Sequence, residues 1–91
     1  MIYLEREING GTQVVHKFDN GYGASVVCHD YSYGGDQGLK ELAVLKFEDG
    51  EEWHLCYTTP ITDDVIGYLE DNRVEELLVA IENLAPWKEV H

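Results

Sequence analysis

Lysine and arginine are scarce: six of them stand against eighteen aspartates and glutamates, for a formal net charge of -12 over 91 residues. That shortage excludes direct binding to nucleic acid or an anionic membrane, because both reward the opposite sign. Only two cysteines are present, Cys28 and Cys56. They are too few for a secreted disulfide framework, so the expectation is reduced thiols in a cytoplasmic setting; a single bridge requires their strands to be adjacent. No apolar run approaches the length of a membrane span, and acids appear within Met1 to Arg6 before a cleavable leader could form. Cys-x-x-Cys and His-x-x-x-His spacings are missing, as is any glycine loop that opens a helix after a strand. No metal, cofactor or phosphate cradle is therefore expected. The two prolines act as punctuation: Pro60 ends the strand-rich part and Pro86 ends the last helix.

What is present is an ordinary globular composition, 44% hydrophobic and 26% charged, sized for one small domain spanning residues 1–91. The stretch NRVEELLVAIENL, Asn72 to Leu84, organises the rest. Val74, Leu77, Leu78, Ile81 and Leu84 recur at the spacing of one helix face, and Asn72 with Glu75 has the form of a capping box. Such a helix is marginal alone and must lay its stripe on a sheet. Residues 1–57 supply one. IYLERE (2–7) alternates up to the turn Asn9-Gly10-Gly11, and QVVHKF (13–18) follows. Asp19-Asn20-Gly21 turns the chain into Gly23 to Tyr33, and Gly34 to Gly38 reads as a flexible loop. Leu39 to Phe47 is apolar on both faces and belongs in the centre of the sheet, with Trp53 to Tyr57 returning beside it. After Pro60, Thr62-Asp63-Asp64 reads as a helix start, with Val65, Ile66 and Leu69 burying one side. The expected fold is α+β: an antiparallel four- to five-stranded meander, two helices within 62–85 packed on one face, and a tail at 86–91.

The chemistry-bearing residues do not form a recognised constellation. His54 and Cys56 share a strand face, whereas Cys28 and His29 point to opposite faces and cannot join one metal site without a bulge. The same alternation prevents Cys28-His29-Asp30 from forming a relay. A small hydrolase or metal-binding protein remains an alternative reading, with His16 or His54 as the helping base. The acids are the more informative set: Glu48, Asp49, Glu51 and Glu52 at one hairpin tip, and Asp63, Asp64, Glu70 and Asp71 along the expected first helix. They serve solubility and capping, or form a negative surface matched to a basic partner. The sharpest version of the second is a DNA mimic that blocks a host nucleic-acid-binding defence protein of restriction or CRISPR type. Tyr31 and Tyr33, beside Gly34-Gly35, mark a second recognition surface, since tyrosine offers contact area at low entropy cost.

The runs FDNGYGASVV (Phe18 to Val27), YGGxxGLxELAVL (Tyr33 to Leu45) and TPITDDVIGYL (Thr59 to Leu69), followed by VEELL (Val74 to Leu78), resemble small uncharacterised proteins of tailed bacteriophages and prophages. The resemblance covers most of Phe18 to Leu84 and carries no catalytic assignment. It implies an accessory protein in the cytoplasm of a bacterial host, binding a host or phage protein with a basic surface. The expectation is thus a non-enzymatic binding protein. Homodimer formation through the first strand or the Trp53 strand is compatible with it, because sheet edges need cover.

Overall fold

A computed structural model of the chain describes residues 2–48, 52–56, 59 and 65–86. Five strands follow one another as an antiparallel meander: β1 (Ile2–Ile8), β2 (Gly11–Lys17), β3 (Tyr22–Cys28), β4 (Lys40–Glu48) and β5 (Glu52–Leu55). Asn9 and Gly10 join the first two with φ of 47° and 80°, the paired positive values that a two-residue hairpin turn requires. The expected strand from Gly23 ends at Cys28. Beyond it Asp30 N–H donates to Asn9 O at 3.0 Å and Ser32 N–H to His29 O at 3.2 Å, so the chain turns over the first hairpin.

Among the described residues the second C-terminal helix is not found. The described part of that segment, Ile66–Leu69, is a short strand, β6, antiparallel to β4. Thr62, Asp63 and Asp64, which were to start the helix, lie outside the described residues. β5 and β6 share one edge of β4: Leu55 stands opposite Leu45, Cys56 N–H reaches Val44 O at 2.8 Å, and Ile66 stands opposite Leu42. An unpaired stretch of β4 edge would leave backbone donors and acceptors without partners, and β6 supplies them. Among the described residues the sheet therefore has six strands and one helix, α1 (Asp71–Glu82).

The sheet is strongly curled. Tyr3 of β1 packs edge-to-face on Phe47 of β4 with ring centroids 5.3 Å apart, although in a flat sheet those strands would lie about 14 Å apart. The Lys17 ammonium sits 5.5 Å from the Tyr3 ring and 5.2 Å from the Phe47 ring. Gly23 permits the approach, because a Cβ there would come within 2.5 Å of the Phe47 ring. Inside the curl, Val15, Leu45 and Phe47 form a small cluster with Leu4 and Trp53. Beside it the buried Gln13 is bonded on both sides, accepting from Arg6 Nε at 2.7 Å and donating to Ser25 Oγ at 2.9 Å.

The larger core lies on the opposite face, where Val74, Leu77, Leu78 and Ile81 of α1 meet Phe18, Ala24, Val26, Leu42 and Val44. The helical stripe is thus the one the spacing predicts. The capping box is not formed: Glu70 is the N-cap, and Asn72 Oδ1 accepts only from the adjacent Arg73 N–H at 2.9 Å. The other end is held from a distance. Asn20, in the β2–β3 turn, donates from Nδ2 to Ile81 O (2.8 Å), Glu82 O (3.1 Å) and Leu84 O (3.0 Å). Ile81 and Glu82 are in the last turn, where a helix runs out of N–H donors; Ile81 O also accepts from Leu84 N–H at 3.1 Å, and Leu84 lies just past the helix.

Candidate functional site

Two glycines and two tyrosines build the most distinctive surface. Gly34 and Gly67 are brought together when Tyr68 N–H donates to Tyr33 O at 3.1 Å. Each ring then lies over the other segment's glycine. A Cβ on Gly67 would stand 2.4 Å from the Tyr33 Cβ, and one on Gly34 would stand 3.0 Å from the Tyr68 Cα and 3.1 Å from its ring. The outer sides of the rings stay in solvent, with Tyr33 59% and Tyr68 60% exposed. Tyr31, two residues earlier, is 81% exposed and sits edge-on to His29. Tyr68 has φ of 56°, a left-handed conformation that costs a bulky L-residue about 1–2 kcal/mol. It falls where the β4–β6 register shifts, and a bulge of this kind re-aims a side chain.

The loop beneath is not the loose segment its glycines suggest. Buried Ser32 accepts from His29 N–H at 2.9 Å and donates its hydroxyl to His29 O at 3.0 Å. A 3-10 turn, Gly35–Gln37, follows, and Leu39 N–H closes onto Gly34 O at 2.9 Å. Gly35 is required here, since its Cβ would lie 2.0 Å from His29 O.

The sequence-derived acids that are described, Glu48, Glu52, Glu70 and Asp71, do not form one edge. Glu48 and Glu52 stand directly opposite each other at the β4–β5 end. Glu70 and Asp71 lie beyond the other end of β4, next to β6 and the tyrosines, so about 25 Å of strand separates the two pairs. Asp71 is bound to Lys40 at 2.5 Å and so is partly neutralised, while Glu70 is exposed. Asp49, Glu51, Asp63 and Asp64 lie outside the described residues. Tyr31 and Tyr33, expected at the end of the strand from Gly23, lie instead in the turns that follow Cys28, where both are exposed. Tyr68 was missed, because it fell inside an expected helix; the clue was its glycine neighbour at 67.

The nucleophile letters disperse. Cys28 Sγ faces Gly35 O at 3.9 Å, His29 Nδ1 accepts from Tyr31 N–H at 3.1 Å, and Asp30 lies against Gly10. These three therefore form no relay. No group of three metal-ligating side chains occurs among the described residues. Cys28 and Cys56 are free thiols with β4 between their strands. No helix among the described residues is long and apolar enough to cross a membrane.

The fold shifts the titration of His16. Burial lowers its pKa below the ordinary 6.5, with Glu75 pulling the other way. The neutral imidazole is therefore the form the native state prefers. Its contribution to stability is complete above the unfolded value and is lost as pH falls through 6.5 toward the native pKa. The expected result is a His16 ring titration, followed by NMR, with its midpoint below 6.5. A His16 midpoint at or above 6.5 would contradict the burial.

No family model, curated protein or solved structure matches the chain.

Proposed function

We propose that this chain is a non-enzymatic accessory protein of bacteriophage type that binds a host or phage protein carrying a basic surface. Contact is made by Tyr33 and Tyr68, with Tyr31 beside them and the Glu70 carboxylate at their edge. The observation that carries this reading is Tyr68: a strained backbone holds a large ring that is mostly in water. Folding gains little from that arrangement, and strain kept without a packing return points to use elsewhere. Exposed, backbone-fixed tyrosines make good anchors, and arginine stacks on them readily. The net charge favours a cationic partner and speeds its arrival. Glu48 and Glu52 are separated from Glu70 and Asp71 by the length of β4, so these four acids do not make one phosphate-like row and the tyrosine-centred reading is preferred to DNA mimicry.

Tyr68→Gly tests this directly. Release of the left-handed strain is offset by glycine's extra chain entropy, about 0.5–1 kcal/mol. The thermal midpoint is expected to stay unchanged or to rise by a few degrees (~4 °C). Affinity capture from host lysate with the native chain should retain a partner that Tyr68→Gly and Tyr33→Ser both lose, while Glu52→Lys keeps it. Retention of the same partner by both tyrosine variants would sink the proposal.

A further inference from the structure

The sheet is wider than α1, which packs on it. α1 lies over β3 and β4, and a helix with its side chains is about 10 Å across, enough for roughly two strands at 4.8 Å spacing. Among the described residues the same face of β1 and β2 is left bare beside it. There Val14 and His16 of β2 form the floor of a groove of about 320 Å³, Ile2 of β1 forms its outer side, and Leu78 of α1 its wall. Ile2 is 57% exposed, in a position where a two-layer α/β arrangement would bury it. Glu5 and Glu75 stand on the rims, and the lysine at the end of the groove, Lys40, is already engaged by Asp71.

We propose that this groove receives an amphipathic α-helix from another protein, lying alongside α1, apolar side down and with lysine or arginine on its flanks. The width fits one helix, the floor is apolar, and the rims are acidic. A second copy of α1 is a poor occupant, because its outward face carries Glu75, Glu76 and Glu82 and would set acid against acid. Helix-in-groove recognition reads anchors at three-and-four spacing, which Ile2, Val14 and Leu78 can accept. This surface is separate from the Tyr33–Tyr68 patch and does not depend on it.

The experiment uses two synthetic helical peptides of about 16 residues. They share one leucine face and carry either lysine and arginine, or glutamate, on the flanks. Each is titrated into the isotope-labelled full chain while amide shifts are followed by NMR. The expected result is that the basic peptide shifts Val14, His16, Glu75 and Leu78 and binds at least about tenfold tighter than its acidic twin. The exposed-site double variant Glu5→Lys/Glu75→Lys should lose that preference, whereas Tyr33→Ser should keep it. Shifts that map away from the groove, or equal affinity for the two peptides, would overturn the proposal. So would a concentration-dependent dimer in sedimentation whose formation shifts the same amides, since a second copy would then occupy the face. Loss of partner capture by Tyr68→Gly is read in a different assay, so the two proposals fail independently.

Discussion

Replacing Asn20 by Asp is expected to destabilise the fold by about 3 kcal/mol at pH 7, against about 1–2 kcal/mol for Asn20→Ala. The side-chain amide faces the carbonyls of Ile81, Glu82 and Leu84, while its own oxygen accepts from Tyr22 N–H at 3.0 Å. An amide has two N–H groups for those three acceptors, so at least one hydrogen is shared. Alanine removes the donors and lets water reach some of the carbonyls. Aspartate does worse, because it aims a charged oxygen at three others and sits at the negative end of the helix dipole. The introduced carboxyl would hold its proton more tightly in the native state than at the unfolded value of about 3.9. A raised native pKa means that stability is retained below the unfolded value and lost as pH rises through the native one. The penalty relative to the parent chain should therefore shrink on acidification toward pH ~4. Denaturant unfolding of parent, Ala and Asp variants at both pH values measures it. An Asp variant no worse than Ala at pH 7 would mean that Asn20 does not face the helix end in solution.

That cap also shows where sequence reading stops. Asp19-Asn20-Gly21 is legible as a turn, and it is one: Gly21 has φ of 87°. Nothing in the chain before folding says that the turn's amide meets a helix more than sixty residues away. The meander was legible because alternation and Asn-Gly or Asp-Asn-Gly turns are local signals, and α1 was legible from its stripe. β6 was not. Val65, Ile66 and Leu69 fit a helical spacing, and Ile66 and Leu69 share a strand face only through the irregularity at Gly67 and Tyr68, which no period in so short a run reveals. Its strand state is set by the open edge of β4, which is a tertiary fact. The same error hid Tyr68, leaving the tyrosine surface half-read with Tyr31 and Tyr33 alone. The acids were legible as composition, yet the placement of Glu48 and Glu52 at one end of β4 and of Glu70 and Asp71 at the other depends on strand direction and could not be summed from the letters.

Leu42→Ala is expected to be the most damaging single truncation, at about 2–5 kcal/mol. Leu42 is fully buried in β4, opposite Val26 of β3 on one side and Ile66 of β6 on the other. It belongs to the cluster that holds Val74, Leu77 and Ile81 of α1. The truncation thus opens a cavity where the meander, the short strand and the helix meet, and none of the three can close over it alone. A domain of this size has on the order of 5–14 kcal/mol in total, so the loss is a large share and should lower the thermal midpoint by about 10–30 °C. Hydrogen exchange gives the sharper test. If the three elements share this one core, amides of α1 and β6 should lose protection together and to a similar degree. Val15→Ala, on the opposite face, should weaken β1 and β2 first. A Leu42→Ala chain that loses less than about 1 kcal/mol, or that frees β6 while α1 stays protected, would show that the helix rests on β3 and β4 without the short strand. In that event the backbone tie between Tyr33 and Tyr68 would open on its own, and the tyrosine surface could not be the fixed anchor that binding requires.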